Sequence, residues 1–149
     1  MIAVLLIAHA PLASSLQAVA AHVFSECSAQ VSALDVAAGE SADDVLARAL
    51  DRIAAIGGDV LILADVFGAT PCNALQRLSV PDHVQVVAGV NVPMLWRALC
   101  YLDHPGETLE SLARRAFEGG RQGVMQVTFT PPQNQPPKAG PDPDNDHDQ

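Results

Sequence analysis

The sequence predicts an α/β fold built on a doubly wound, mostly parallel open sheet. Short, wholly apolar runs alternate along the chain with longer stretches whose apolar residues recur at helical spacing. Three of the short runs are apolar on both faces, as parallel strands covered by helices must be. The length of 149 residues and the 49% apolar content fit one domain with a sizeable core. We predict strands at Ile2–Ile7, Gln30–Val36, Val60–Ala64 and Val84–Ala88.

Local signals place the first two helices between these strands. Pro11 can occupy the first turn of a helix, where its missing N–H is not needed. Ser41, with Asp44 three residues later, forms a variant of the capping box, and Gly57-Gly58 ends the second helix. The first helix is expected to bury one apolar stripe, made of Leu12, Leu16, Val19, Val23 and Cys27.

The third and fourth helices follow the third and fourth strands. In the segment ADVFGATPCN, at residues 64–73, Thr70 can cap a helix and Pro71 can take its first position. A fourth helix is predicted to start near Pro93 and to end around Asp103. Strands that alternate with helices in this way are typical of a parallel sheet.

A fifth helix and a final strand complete the predicted fold. Thr108 can cap the helix, and the glycine pair Gly119-Gly120 is expected to end it. Residues from Val124 to Phe129 then alternate between apolar and polar side chains, which predicts a last strand.

The composition changes abruptly after this strand. Residues 131–149 contain six prolines, four aspartates and no large apolar side chain. Such a segment cannot offset its ordering entropy by burying apolar surface. We therefore predict a domain at residues 1–130 and a disordered Pro/Asp-rich tail at residues 131–149.

Charge and cysteine usage exclude several classes of function. A net charge of −9 argues against nucleic acid, which requires clustered Lys and Arg. Cys27, Cys72 and Cys100 are odd in number and far apart, so a disulfide framework is not expected and a reducing cytoplasm fits best. The apolar N-terminus lacks any Lys or Arg before Arg48 and is too short to span a membrane, so we expect a first strand and no membrane insertion.

The predicted topology brings polar residues together at one edge of the sheet. Right-handed crossovers with strand order 2-1-3-4 make strands one and three neighbours at the point where the winding reverses. His9 then lies at the carboxyl end of strand one and Asp65 at the end of strand three, with Gly89-Val90-Asn91 after strand four. We expect His9 and Asp65 to share a crevice on which two helix N-termini converge.

These residue types suit phosphoryl transfer through phosphohistidine. An imidazole whose Nδ1–H is held by a carboxylate presents the Nε2 lone pair as a nucleophile. Backbone amides at helix N-termini and a hydroxyl such as that of Thr70 can stabilise an incoming dianion. Single His and Asp residues are common, however, and the residues alone leave open that His9 is a hydrogen-bonded strand-end histidine and DVFGATP an ordinary turn.

Four segments resemble one family in order along the chain: AHA at 8–10, ADVFGATPCN at 64–73, VAGVNVPML at 87–95 and GGRQGV at 119–124. They are similar to the enzyme IIA component of the mannose family of the bacterial phosphoenolpyruvate sugar phosphotransferase system (PTS). The resemblance spans about residues 1–129.

The resemblance implies a phosphotransferase with a defined set of residues. His9 would be the phosphorylated nucleophile and Asp65 its hydrogen-bonded partner. Thr70 and the nearby amides of Gly68 and Ala69 would receive the phosphoryl group. No metal and no cofactor are expected, because the sequence has neither a ligand cluster nor a P-loop.

Partners are also implied by the resemblance. The family's donor is the histidine phosphocarrier protein HPr, its acceptor is a IIB domain, and members are homodimers that exchange their C-terminal strand. Because no IIB domain follows in this chain, IIB is expected to be a separate protein, or a regulatory target takes its place. Asn73, Asn91 and Pro93 are expected to order the loops or to meet a partner.

Two departures and two alternatives accompany this interpretation. The family usually has Thr-His-Gly where this chain has Ala8-His9-Ala10, which removes a hydroxyl and some backbone freedom beside the nucleophile.

One alternative function is that of a regulatory interaction protein whose affinity for a target depends on phosphorylation of His9, without sugar transport. The other is an aspartyl-phosphate receiver using Asp65, but the acidic magnesium cluster that receivers need near the first strand is missing.

Overall fold

The fold is built on four parallel strands, as a computed structural model shows for residues 1–66, 75, 77–78 and 82–128. The strands are β1 (Ile2–His9), β2 (Val31–Val36), β3 (Asp59–Ala64) and β4 (Val84–Ala88). Their order in the sheet is β2-β1-β3-β4, as predicted. Each strand lies within two residues of its predicted bounds, and β1 runs on to include His9.

Helices cover both faces of the sheet. The α-helices whose bounds lie within the described residues are α1 (Leu12–Val23), α2 (Ala42–Ile56), α3 (Val92–Tyr101) and α4 (Leu109–Gln122). Val4 and Leu6 of β1 belong to a buried cluster shared with α1, α3 and α4, whereas Leu5 and Ile7 belong to a second cluster shared with α2. The alternation of side chains along β1 therefore supplies both cores, which confirms the doubly wound arrangement. The helix predicted after Thr70 lies outside the described residues.

The buried face of α1 differs from the predicted stripe. Leu16 is buried as expected, but its buried companions on the helix are Ala13 and Ala20. Small alanine side chains let the helix lie close to the sheet, which turns three larger apolar residues outward, and Pro11 precedes the helix as its N-cap residue. Leu12, Val19 and Val23 are between 36% and 40% exposed, and Cys27 lies beyond the helix.

The caps of α2 agree with the sequence signals. The Ser41 hydroxyl accepts a hydrogen bond from the Asp44 amide at 3.1 Å. Gly57 closes the helix in the left-handed region, at φ 71°, where glycine is favoured over residues with a Cβ.

The end of α4 differs from the prediction. Thr108 caps the helix as expected, but Gly119 and Gly120 lie inside it. A Cβ on Gly119 would come 2.5 Å from the Cβ of Arg97, and one on Gly120 would come 2.6 Å from Cε of Met94. The glycines therefore allow α3 and α4 to pack closely, and they do not end the helix.

The predicted last strand is absent from this single chain. Residues 124–128 form no strand, and Val124, Met125 and Val127 are at least 70% exposed. A strand exists only where a neighbour completes its hydrogen-bond ladder, and within the described part of the chain no strand pairs with these residues. Phe129 lies outside that part.

Candidate phosphoryl-transfer site

His9 and Asp65 meet at the carboxyl edge of the sheet, as their strand ends predict. The two groups are joined by a contact of 2.6 Å between His9 Nδ1 and Asp65 Oδ2. The same carboxylate oxygen accepts the backbone N–H of His9 at 3.0 Å, and Asp65 Oδ1 accepts that of Val66 at 2.8 Å. The carboxylate is thus fixed to the backbone on both sides of the crevice.

Asp65 is held in its ionised form. Partial burial opposes the charge and is the largest single influence on its pKa, but several hydrogen bonds together outweigh it. Those bonds come from the backbone N–H and the imidazole of His9 and from the N–H of Val66, and they hold the pKa of Asp65 below its ordinary value. An ionised carboxylate can only accept hydrogen bonds, so the proton shared with the ring lies on His9 Nδ1.

This geometry leaves Nε2 of His9 as the basic nitrogen of the ring. The His9 side chain is 54% exposed, whereas that of Asp65 is only 11% exposed. A ring oriented by a partly buried carboxylate and open to solvent can attack an electrophile delivered from outside. The arrangement is therefore chemically suited to take up a group at Nε2.

The loop after β4 is tied to the same edge. The amides of Gly89 and Val90 donate to the carbonyls of Asp65 and Ala64 at 3.0 and 2.8 Å. Asn91 then caps α3, because its Oδ1 accepts the Met94 amide at 2.9 Å.

The Asn91 side chain also joins α3 to the end of α4. Its Nδ2 donates to the Gly120 carbonyl at 3.0 Å. Pro93 follows in the first turn of α3, where a Cβ on Gly123 would overlap its ring. These contacts place Asn91 and Pro93 where the loop after β4 enters α3, and their predicted roles in ordering the loop or meeting a partner stay predictions.

Sequence reasoning did not find Asp35, near the end of β2. Its Oδ1 accepts the backbone N–H of Ser14, in the first turn of α1, at 3.0 Å. Ser14 and Met94 are each the third residue of a helix that begins at this edge, and the amides of both are already bonded to side chains. A polar residue near the end of an edge strand was the available signal.

The other predicted site residues lie outside the described residues. These are Gly68, Ala69 and Thr70, predicted to bind the phosphoryl group, and Asn73, predicted to order a loop or to meet a partner. Of the two helix N-termini expected to converge on the crevice, that of α1 is described, and its Ser14 amide is bonded to Asp35. The other, after Thr70, lies outside the described residues.

The two alanines that flank the nucleophile have different surroundings. Ala8 is fully buried, in the core cluster that includes Ala13 of α1. Ala10 is exposed, and its amide donates to the Val36 carbonyl at 2.9 Å. A threonine hydroxyl at position 8 would need a partner in an apolar site, which alanine does not.

Two further features of the described residues concern metals and membranes. Within residues 1–66, 75, 77–78 and 82–128, no group of three or more His, Cys, Asp or Glu side chains could hold a metal ion. No described helix is both long enough and apolar enough to cross a bilayer.

Comparison with known proteins identifies the family. The family model EIIA-man, described as the PTS system fructose IIA component, matches residues 3–131. The chain belongs to this family. It is a mannose-family EIIA component, the type of protein that serves the PTS as a phosphotransferase component.

A bacterial relative agrees with this assignment. The chain is 33% identical over 120 residues to the PTS system mannose-specific EIIAB component of Escherichia coli K12, a match covering 74% of this chain and 37% of that protein. It therefore spans little more than a third of that relative.

Two solved structures share the fold at 24% identity. The EIIA component from Streptococcus agalactiae superposes with a TM-score of 0.74, over 85% of this chain and 97% of that one. The mannose/sorbose-specific IIA subunit from Enterococcus faecalis gives 0.75, over 87% and 96%.

Proposed function

We propose that this EIIA component is a phosphoryl carrier that accepts a phosphoryl group on Nε2 of His9 from HPr and passes it to a IIB component. The observation that carries the proposal is the 2.6 Å contact between His9 Nδ1 and an Asp65 carboxylate that is itself fixed by two backbone amides. This contact selects the tautomer whose Nε2 is free to attack.

The bonds formed and broken in the transfer balance. The N–P bond of phosphorylated HPr breaks and its imidazole recovers the electron pair, while the Nε2 lone pair of His9 forms the new N–P bond. The positive charge that develops on the His9 ring lies on the side of Nδ1–H, where the Asp65 carboxylate stabilises it. In transfer to IIB, a nucleophile of IIB bonds to phosphorus while the Nε2–P bond breaks and the His9 ring recovers the electron pair.

The competing receiver function does not fit the carboxylate. Both oxygens of Asp65 accept hydrogen bonds from protein N–H groups. A carboxylate engaged in this way is a poor nucleophile. A regulatory protein that signals the phosphorylation state of His9 would use the same geometry, and it differs only in the acceptor, so assays with IIB and with candidate targets separate the two.

We also propose a homodimer in the cytoplasm. Residues 124–128 expose three large apolar side chains, and β4 is an edge of the described sheet. Pairing of this segment with a second copy would cover the apolar side chains and give the edge strand a partner.

The free thiols of Cys27 and Cys100 suit a reducing compartment. The boundary at residue 130 and the disorder of residues 131–149 stay predictions, because residues 129–149 lie outside the described part.

Phosphate uptake tests the proposal. Phosphoenolpyruvate, enzyme I and HPr should add one phosphoryl group per chain to the wild-type protein, measured by intact mass. His9→Ala should add none while staying folded, since the side chain is half exposed at a strand end and its removal costs the fold one hydrogen bond to Asp65. His22→Ala, on α1, is the matched control and should accept normally. Stoichiometric uptake by His9→Ala would overturn the proposed nucleophile.

A further inference from the structure

The first turn of α1 takes its cap from another part of the chain. Pro11, at the N-cap position, makes no side-chain cap hydrogen bond, and the first turn contains no acidic residue. Asp35 of β2 supplies the missing acceptor through its 3.0 Å hydrogen bond from the Ser14 amide. A carboxylate at this position also interacts favourably with the positive end of the helix dipole.

The strand register places this carboxylate beside the nucleophile segment. Asp35 lies opposite Ala8, and Val36 lies opposite His9. Adjacent strands are about 4.8 Å apart, so Asp35 is one strand away from the residue that precedes the nucleophile. The Val36 carbonyl accepts the Ala10 amide at 2.9 Å. The end of β2 therefore holds the chain on both sides of the turn from His9 into α1.

The Asp35 carboxylate forms no ion pair with Arg48. Ser14 is the main cause of the lowered pKa of Asp35, through its side chain and its amide, so the group is ionised at neutral pH. The Arg48 guanidinium bonds Glu40 Oε1 at 2.6 Å and reaches the backbone carbonyl of Asp35, at 3.1 Å. The Ser14 amide in the first turn of α1 is thus bonded to an anion and is not free for a phosphoryl group.

We propose that Asp35 is a positioning residue for phosphoryl transfer, which holds the turn between His9 and α1 and whose negative charge disfavours the phosphorylated state. The inference rests on the proposed function. When the phosphoryl group moves from HPr to Nε2 of His9, a dianion arrives at the residue that pairs with Val36, which directly follows Asp35 in β2. The repulsion between the dianion and the Asp35 carboxylate raises the free energy of the phosphorylated protein and so favours onward transfer.

A pair of substitutions separates the two effects of Asp35. Asp35→Asn keeps an oxygen that can accept the Ser14 amide but removes the charge, whereas Asp35→Ala removes both. Glu40→Gln is the matched control, because Glu40 is an acid of the loop that follows β2, and it bonds Arg48 and the Ala37 amide. Wild type and variants are mixed with phosphorylated HPr, and the equilibrium distribution of phosphate is measured by intact mass.

Asp35→Asn should shift that equilibrium towards the phosphorylated protein by about three- to tenfold, an effect that weakens with added salt. It should leave the melting temperature and the hydrogen exchange of the first α1 turn close to wild type. Asp35→Ala should speed exchange in that turn and lower the melting temperature by about 3 °C or more, because the helix loses its cap.

Three results would overturn this inference. An equilibrium for Asp35→Asn equal to that of wild type removes the electrostatic role, and an equal shift for Glu40→Gln shows that any acid of the loop has the same effect. Unchanged exchange in Asp35→Ala removes the positioning role. A wild-type protein that takes no phosphate from HPr overturns the proposed function instead, and the positioning role is then judged on exchange alone.

Discussion

Replacing Asp65 with asparagine should disable the nucleophile without removing it. The carboxylate accepts three N–H groups, at 2.6, 2.8 and 3.0 Å. Asparagine has only one acceptor oxygen. If that oxygen stays with Val66, the NH₂ group faces His9, so Nδ1 must accept and the ring proton moves to Nε2. If the amide is flipped, its NH₂ group faces the Val66 amide and one donor is left without a partner.

The magnitude follows from these contacts. Losing at least one hydrogen bond to a charged group costs about 1.5–3 kcal/mol of unfolding free energy, which for a domain of this size lowers the melting temperature by about 4–10 °C. A wrong tautomer together with the lost charge should slow phosphoryl transfer from HPr by about 10²- to 10⁴-fold.

The assay is the rate of phosphate uptake from HPr, followed by rapid quench and intact mass, together with a thermal melt. Asp59→Asn is the matched control, because Asp59 contacts His83 Nδ1 at 3.0 Å at the opposite end of the sheet. Its uptake rate should equal that of wild type. Transfer by Asp65→Asn at the wild-type rate would refute the orienting role, and equal slowing of Asp59→Asn would show that the effect is not local.

Three further predictions concern pH, packing and assembly. Because the pKa of Asp65 is lower in the folded protein, its contribution to stability is complete above the unfolded pKa of about 4 and is lost as pH falls through the folded pKa. The unfolding free energies of wild type and Asp65→Asn, measured with urea, should therefore differ at pH 7 and converge at acid pH. Gly119→Ala and Gly120→Ala should each cost about 1–3 kcal/mol of unfolding free energy by overpacking against α3. The substitution Glu118→Ala, at a partly exposed neighbour, should change it by less than about 0.5 kcal/mol, and equal melts would contradict the close packing. Light scattering should show a wild-type homodimer and a smaller species for Val127→Asp, and a wild-type monomer at micromolar concentration would remove the proposed exchange.

The parts of the fold that were predictable depend on strong local signals. Apolar runs such as that of β1 mark strands buried on both faces, and the right-handed crossover rule then orders them. The meeting of His9 with Asp65 follows from that order, because both lie at strand ends on the same edge.

The errors arose where tertiary packing decides the outcome. Gly119 and Gly120 look like a helix end, but they are used for close contact with Arg97 and Met94 of α3. The periodicity of α1 favours its larger side chains, whereas the sheet accepts the alanine face. Asp35 was missed because its role depends on a distant helix that it caps, and its position as a polar residue near a strand end indicates that role only weakly.

The most direct test of the account is the position and chemistry of the phosphoryl group itself. Protein phosphorylated through HPr should lose its phosphate in acid and keep it in alkali. Fragmentation should place the group on His9 within the peptide that ends at Arg48, which is the first Lys or Arg in the sequence. Phosphate on His22 of the same peptide, an alkali-labile aspartyl phosphate at Asp65, or an acid-stable ester would each contradict the account.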